Sequence, residues 1–270
     1  MNVSFEYILA GFIIILVLTT TQVYSSQLIE RKIADWEQSS GYRTIESLLD
    51  SILMSAGEPS NWADSSATPI RFGLASSNTF EDYGLDPLKV YRLASDSPNY
   101  IPPATIRSLL GISSTIGFSL RIIPALNVTI VCQEPGEYDL FVKDLKGLCV
   151  PNVNVTAFLV QMPFNPYTSL DPVFSLTDIE GRAHLTFSPQ GNSSLVARVG
   201  QSDILALGTY PNPSNLLLTV QGNHVVSSTR TATFAINSTT GSEFGTWRQV
   251  SSRFVKLEGY TYFAELSLWG

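Results

Sequence analysis

Two histidines, His184 and His224, and two cysteines, Cys132 and Cys149, are the residues with which this 270-residue chain could ligate a metal or supply a nucleophile or base. Neither pair stands at the short spacing that zinc sites use. The sequence contains no G-x-S-x-G elbow, no glycine-rich phosphate loop and no H-E-x-x-H pair. Asp171, Asp178 and Glu180 offer carboxylates, but not at calcium-loop spacing, and they read as turn residues. Glu81-Asp82 is a carboxylate pair in loop-like sequence with no accompanying base. The expectation is a protein that is not an enzyme, with no catalytic residues, no metal and no cofactor. Charge excludes a further class. Sixteen basic residues against twenty-three acidic ones give a net charge of −7 and no basic cluster, which argues against nucleic acid. Nothing in the chain points to a small-molecule substrate.

The chemistry therefore lies elsewhere, and the N-terminal stretch is the first place to look. From Tyr7 to Ile29 there is no charged residue, and Ile8 to Leu18 is apolar but for Gly11. A bilayer core of about 30 Å needs roughly 20 helical residues, so this stretch is long enough to cross a membrane. Glu6 stands just before the apolar run, where an unpaired carboxylate is costly and so marks a functional position. Over the whole chain charged residues make up 14%, below the ~25% of typical soluble domains, and Ser, Thr and Asn must supply the polar surface.

Five Asn-x-Ser/Thr sequons occur, and Asn127, Asn154, Asn192 and Asn237 lie well past the apolar run. They are candidate N-glycosylation sites and point to a C-terminal part outside the cell. Cys132 and Cys149 enclose a short strand-like stretch and are a candidate disulfide, worth ~3 kcal/mol in the chain-entropy model, or else two free buried thiols. Arg31 and Lys32 after the apolar run point the other way by the positive-inside rule. Removal of a basic leader ahead of Asn2 would reconcile the two.

Asn2-Val3-Ser4-Phe5-Glu6-Tyr7 followed by an apolar stretch resembles the mature N-terminus of archaeal type IV pilin-like proteins, the subgroup processed at a class III signal peptide, with Asn2 where Gln is usual. The resemblance implies that Glu6 meets the terminal amine of a neighbouring subunit, with Phe5, Tyr7 and Phe12 as the subunit-assembly residues around it. Ser55-Ala56-Gly57-Glu58-Pro59-Ser60-Asn61-Trp62 is similar to a Ser-Pro-Gly-x-Pro-x-x-Trp turn of the same group, with Ala56 for its Pro. Phe72 to Ala75, Leu85 to Leu93, Leu109 to Ile112 and the last strand, Tyr260 to Trp269, resemble further pieces of it.

The elements that must position these residues follow from periodicity. Leu28, Ile29, Ile33 and Trp36, then Ile45, Leu48, Leu49, Ile52 and Leu53, recur at three and four and predict a helix extending to about residue 56, ended by Gly57 and Pro59. Strands are expected over residues 116–131, broken at Pro124. From about Pro135, short strands alternate with the turns Asp144–Gly147 and Asp178–Gly181 as far as Tyr210, the pattern of a β-sandwich. The words around Asp144, Gly147 and Val153, and around Asp178, Gly181 and Leu185, are similar to Ig-like or transthyretin-like modules. More strands run from Leu216 to Trp269.

The fold class expected is α+β: a long N-terminal transmembrane or filament-core helix over 1–56, a β-rich head from 57–131 and 211–270, and an Ig-like module over 132–210. The expected function is that of a pilin or minor pilin of an extracellular type IV pilus-like filament. Its partners would be itself or other pilins, with the membrane as anchor before assembly. The alternative is a single-pass, membrane-tethered Ig-like adhesion protein that does not polymerise.

Overall fold

A computed structural model describes residues 45–77, 82–161, 171–188, 191–211, 218–221, 224–227, 236–241 and 246–270. Among them 49% lie in strands and 13% in helices, which makes the described fold antiparallel β rather than α+β. The expectation of a long N-terminal helix as the organising element is corrected accordingly. The described helical residues next to it are 45–54 (α1), and no described helix is long and apolar enough to cross a membrane. Residues 1–44, with Phe5, Glu6, Tyr7 and Phe12, lie outside the described residues.

The stripe on α1 behaves as its spacing requires. Ile45, Leu49, Ile52 and Leu53 are fully buried, whereas Met54 is exposed. Gly57 follows at φ +75°, a conformation that a side chain would strain. A Cβ there would also stand 2.7 Å from the Arg71 carbonyl and 2.9 Å from the Trp62 indole nitrogen. The chain then turns through a 3₁₀ turn, Trp62–Asp64, and two short helices, Pro87–Tyr91 (α2) and Pro103–Leu109 (α3). Asp86 caps α2 by accepting from the amides of Leu88 and Lys89, with Pro87 at the first turn.

Between α1 and the first sheet the backbone has few ladder partners, and two buried cations serve instead. Arg92 is 4% exposed. Its guanidinium donates to the carbonyls of Trp62 (2.7 Å), Ser65 (2.9 Å), Ser66 (3.4 Å), Ala67 (3.0 Å) and Asn99 (2.9 Å). It lies over the Trp62 ring at 5.1 Å, a cation–π contact. The Trp62 indole donates to the Gly73 carbonyl at 3.0 Å. Lys89, fully buried, donates to the carbonyls of Ala56 and Ala75. Burial pulls its pKa below the ordinary lysine value, against the opposing charges of Asp86 and Asp64.

Thirteen strands are described: β1 (Gly117–Pro124), β2 (Asn127–Glu134), β3 (Glu137–Lys143), β4 (Asn154–Gln161), β5 (Val173–Leu176), β6 (Arg182–Thr186), β7 (Ser193–Gln201), β8 (Ile204–Tyr210), β9 (Leu218–Gln221), β10 (His224–Ser227), β11 (Ile236–Thr240), β12 (Arg248–Leu257) and β13 (Tyr260–Trp269). The head sheet has the order β11-β1-β13-β12, all antiparallel. Phe118, Leu120, Ile122, Tyr262, Ala264 and Leu266 alternate onto its inner face and share one core with α1. Asp50 on α1 ties to that sheet through Arg253, Nε to Oδ1 at 3.1 Å and Nη2 to Oδ2 at 3.3 Å, with the Tyr83 hydroxyl on Oδ1. The hairpin β9-β10 is held by the Tyr260 hydroxyl, which accepts from the Val220 amide and the Thr219 hydroxyl.

Strands β2 to β8 form a sandwich of two sheets, β2-β3-β6 and β5-β4-β7-β8, around a second core. β2 pairs with β3, so the strand from Asn127 to Glu134 is part of the sandwich. Every residue of β4 from Val155 to Val160 is buried. The reason is that Val155, Ala157 and Leu159 face the sandwich core, while Phe158 and Val160 face the head core together with Val196 and Leu207.

Arg92→Met removes the donors from several carbonyls that are shut away from water. It is expected to cost about 3 kcal/mol in urea unfolding. A loss within about 0.5 kcal/mol would show that those carbonyls have other partners.

Candidate functional site

On the outer face of the head sheet the alternation that buries Phe118 and Leu120 turns Ser119 and Arg121 the other way. Register places Arg121 opposite Asn237 on β11 and opposite Glu265 on β13, and Arg248 on β12 opposite Trp269. Ser119, Arg121, Asn237, Thr239, Trp247, Arg248 and Trp269 thereby line an open cleft of about 380 Å³.

Each wall has a local cause. The Trp269 indole lies flat across Gly117, where an added Cβ would fall 2.1 Å from the ring. The Trp247 indole rests on Gly270, while the amides of Thr246 and Trp247 donate to the Gly270 carbonyl. Trp247 keeps 41% of its surface exposed and Trp269 only 8%. Thr239 donates to the Asn237 side-chain oxygen at 2.8 Å and shares a 2.9 Å hydrogen bond with Ser119. Arg121 stands 3.6 Å from Glu265, and Arg248 donates to the Ser267 hydroxyl at 3.2 Å. The cleft therefore offers two guanidiniums, one accessible indole beside a largely covered second, and a hydroxyl–amide floor. Among the described residues of its lining no general base stands beside a nucleophile.

The residues singled out from the sequence are scattered. His184 is on β6 and His224 on β10, in separate sheets. Asp178 is a turn builder: its Oδ1 accepts from the amides of Glu180 and Arg182, and Asp144 accepts in the same way from Lys146 and Leu148. Among the described residues no group of three or more His, Cys, Asp and Glu stands close enough to hold a metal ion.

The disulfide expectation is corrected. Cys132 and Cys149 are free, the first half-buried and the second exposed. Cys132 pairs with Tyr138 at one end of β3, and Cys149 bridges to Lys143 at the other. Those partners stand five positions apart on β3, about 17 Å, whereas a disulfide needs Cα atoms within roughly 7 Å. Cys132 instead donates weakly to the Glu134 carbonyl. Asn127, Asn154, Asn192 and Asn237 are all exposed.

One polar cluster was not foreseen. Asp139 on β3 is 2% exposed, covered by Arg182 (Nη2 at 2.7 Å), His184 (Nδ1 at 3.0 Å) and Gln133 (Nε2 at 2.9 Å). The His184 Nε2 lies 3.4 Å from the Thr186 hydroxyl. Asp, His and Thr in a row suggest a nucleophile relay, but His184 and Arg182 both keep their side chains about half exposed on the strand face. Desolvation raises the Asp139 pKa, yet the hydrogen bonds from His184, Arg182 and Gln133 outweigh it and leave the group below the usual carboxylate value. Neither this cluster nor the cleft was legible beforehand, because both join residues whose neighbourhood depends on strand register. Only the Trp269 aromatic at the end of the last strand signalled one wall.

No protein-family model matches the chain, and no curated protein matches it.

A carboxylate with a depressed folded pKa contributes stability above its unfolded pKa of about 3.9 and loses it as pH falls through the folded value. Asp139→Asn should therefore be less stable by about 1–2 kcal/mol at neutral pH and show a smaller loss than the parent below about pH 4, read by thermal unfolding across pH. Equal acid profiles would remove Asp139 from that role. For the cysteines, both thiols are expected to titrate without reductant, with the Tm unchanged by dithiothreitol. A mobility shift on reduction would restore the disulfide.

Proposed function

We propose that this chain is a structural subunit of a cell-surface filament of the archaeal type IV pilus kind, with its β head and Ig-like module displayed outside. The observation that carries the reading is the place of α1. The stretch that follows the apolar N-terminal run in sequence buries Ile45, Leu49, Ile52 and Leu53 at the centre of the head and is clamped to β12 through Asp50 and Arg253. A head built around α1 takes up force applied to that helix directly in its core. The resemblance of Asn2 to Tyr7, and the order of the later pieces, supports the same assignment.

In this mechanism the apolar segments of many copies pack together and exclude water and lipid. The Glu6 carboxylate pairs with the terminal amine of a neighbour and sets the axial register, which offsets the cost of placing a charge among apolar side chains. Before assembly the same segment anchors the subunit in the membrane. Partners are further copies of this chain or related subunits.

The test is mass analysis of the N-terminus of protein from sheared cell-surface material. A chain starting at Asn2 in a high-mass fraction is the expected result, with Glu6→Ala protein absent from that fraction yet still membrane-bound. A chain retaining Met1 and found only in detergent extracts would replace the filament with a tethered, non-polymerising Ig-like adhesion protein.

A further inference from the structure

We propose that the cleft on the outer face of the head sheet binds a saccharide whose pyranose ring carries a carboxylate. The inference stands on the cleft alone and is independent of the filament reading.

Charge comes first. Among the described residues the lining contributes two guanidiniums, Arg121 and Arg248, and no carboxylate, in a chain whose net charge is −7. Glu265 flanks Arg121 at 3.6 Å, too long for a tight bidentate pair, and the Arg121 side chain keeps 45% of its surface exposed. The guanidinium fork matches a carboxylate in plane, so the charged end of a ligand is recognised here.

The backbone does not supply that recognition. β1 is paired on both sides, to β11 and to β13, so its amides are engaged in the ladder. No nest of unpaired N–H groups of the kind that cradles phosphate can form on such a strand. On that strand recognition falls to side chains, and the planar guanidinium forks suit a carboxylate.

The remaining lining matches the rest of a sugar. Trp247 presents an accessible indole, and its negative ring face attracts the polarised C–H groups of one pyranose face. Ser119, Thr239 and Asn237 form a floor of short donors and acceptors for ring hydroxyls. The cleft volume of about 380 Å³ lies in the range of small-ligand sites. A purely apolar ligand would cover both arginines and the polar floor without adding to the bonds they already make.

The same chemistry has two possible sources. One is an acidic polysaccharide from outside. The other is a glycan carried by Asn237, an exposed sequon asparagine that itself lines the cleft.

The full chain in detergent, produced without N-glycosylation, is titrated calorimetrically with a galacturonic acid trisaccharide and with its methyl ester. Saturable binding of the acid, at least about tenfold tighter than the ester, is expected. Trp247→Ala should weaken both ligands. Arg248→Gln should weaken the acid by about tenfold and erase its advantage over the ester, the coupling that a direct charge contact predicts. Both side chains sit at the surface, and an unchanged Tm verifies that the variants are folded. With the glycosylated native chain, retained binding marks an external ligand. Binding lost there and regained on deglycosylation assigns the cleft to the chain's own glycan. No saturable binding by the unglycosylated chain, or binding indifferent to Trp247→Ala and Arg248→Gln, overturns the proposal.

Discussion

The head depends on one buried cation. Between α1 and β1 the chain runs through some sixty residues with little sheet, and its carbonyls still need donors once they leave water. Arg92 supplies five of those bonds from one planar group and rests its face on Trp62. Lys89, one helical turn earlier, clamps Ala56 to Ala75. The end of α1, the 3₁₀ turn and the approach to α3 are therefore gathered around α2, a helix of only five residues. A carboxylate partner would have satisfied one guanidinium edge, whereas backbone carbonyls from several segments satisfy all of it and fix those segments relative to one another.

Packing makes head and module continuous. β4 is buried on both faces because one side serves the sandwich and the other joins Phe158, Val160, Val196 and Leu207 to the head core. The module is thus a wall of the head. Two turns of identical build, Asp144 to Leu148 after β3 and Asp178 to Arg182 between β5 and β6, reverse the chain. Each spends an aspartate on backbone amides and a glycine on a positive φ, at Gly147 and Gly181. Residues that looked available for a cation are consumed by the fold.

What is left for function lies on faces that the cores do not need. Alternation makes each strand of the head sheet divide its residues, and the outward set includes arginine and tryptophan as well as serine and threonine. In a chain with few charges, two arginines beside an accessible indole are a concentration of interaction potential, and they sit on the sheet that α1 supports from behind.

How much could be read in advance follows from the range of the interactions. The stripe Ile45, Leu49, Ile52 and Leu53, the stop at Gly57, the anchor Trp62 and the turns at Asp144 and Asp178 were all legible, because each rests on contacts or dihedral demands within a few residues. Most strands were legible for the same reason, through their period of two. That β2 joins the sandwich was not legible, since it does so only through pairing with β3. The Cys132–Cys149 bridge failed for a related reason. Sequence proximity suggested contact, and antiparallel pairing sent the two thiols to opposite ends of one strand. The fold class leaned on the apolar N-terminus, while the described residues are dominated by sheets whose partners are as far apart as Phe118 and Thr240. By itself the sequence determined the local elements, the charge-poor surface and the absence of familiar catalytic motifs. Tertiary structure alone decided the Arg92 hub, the Asp139 cluster and the tryptophan–arginine cleft, because each depends on register and on segments distant in the chain meeting in space.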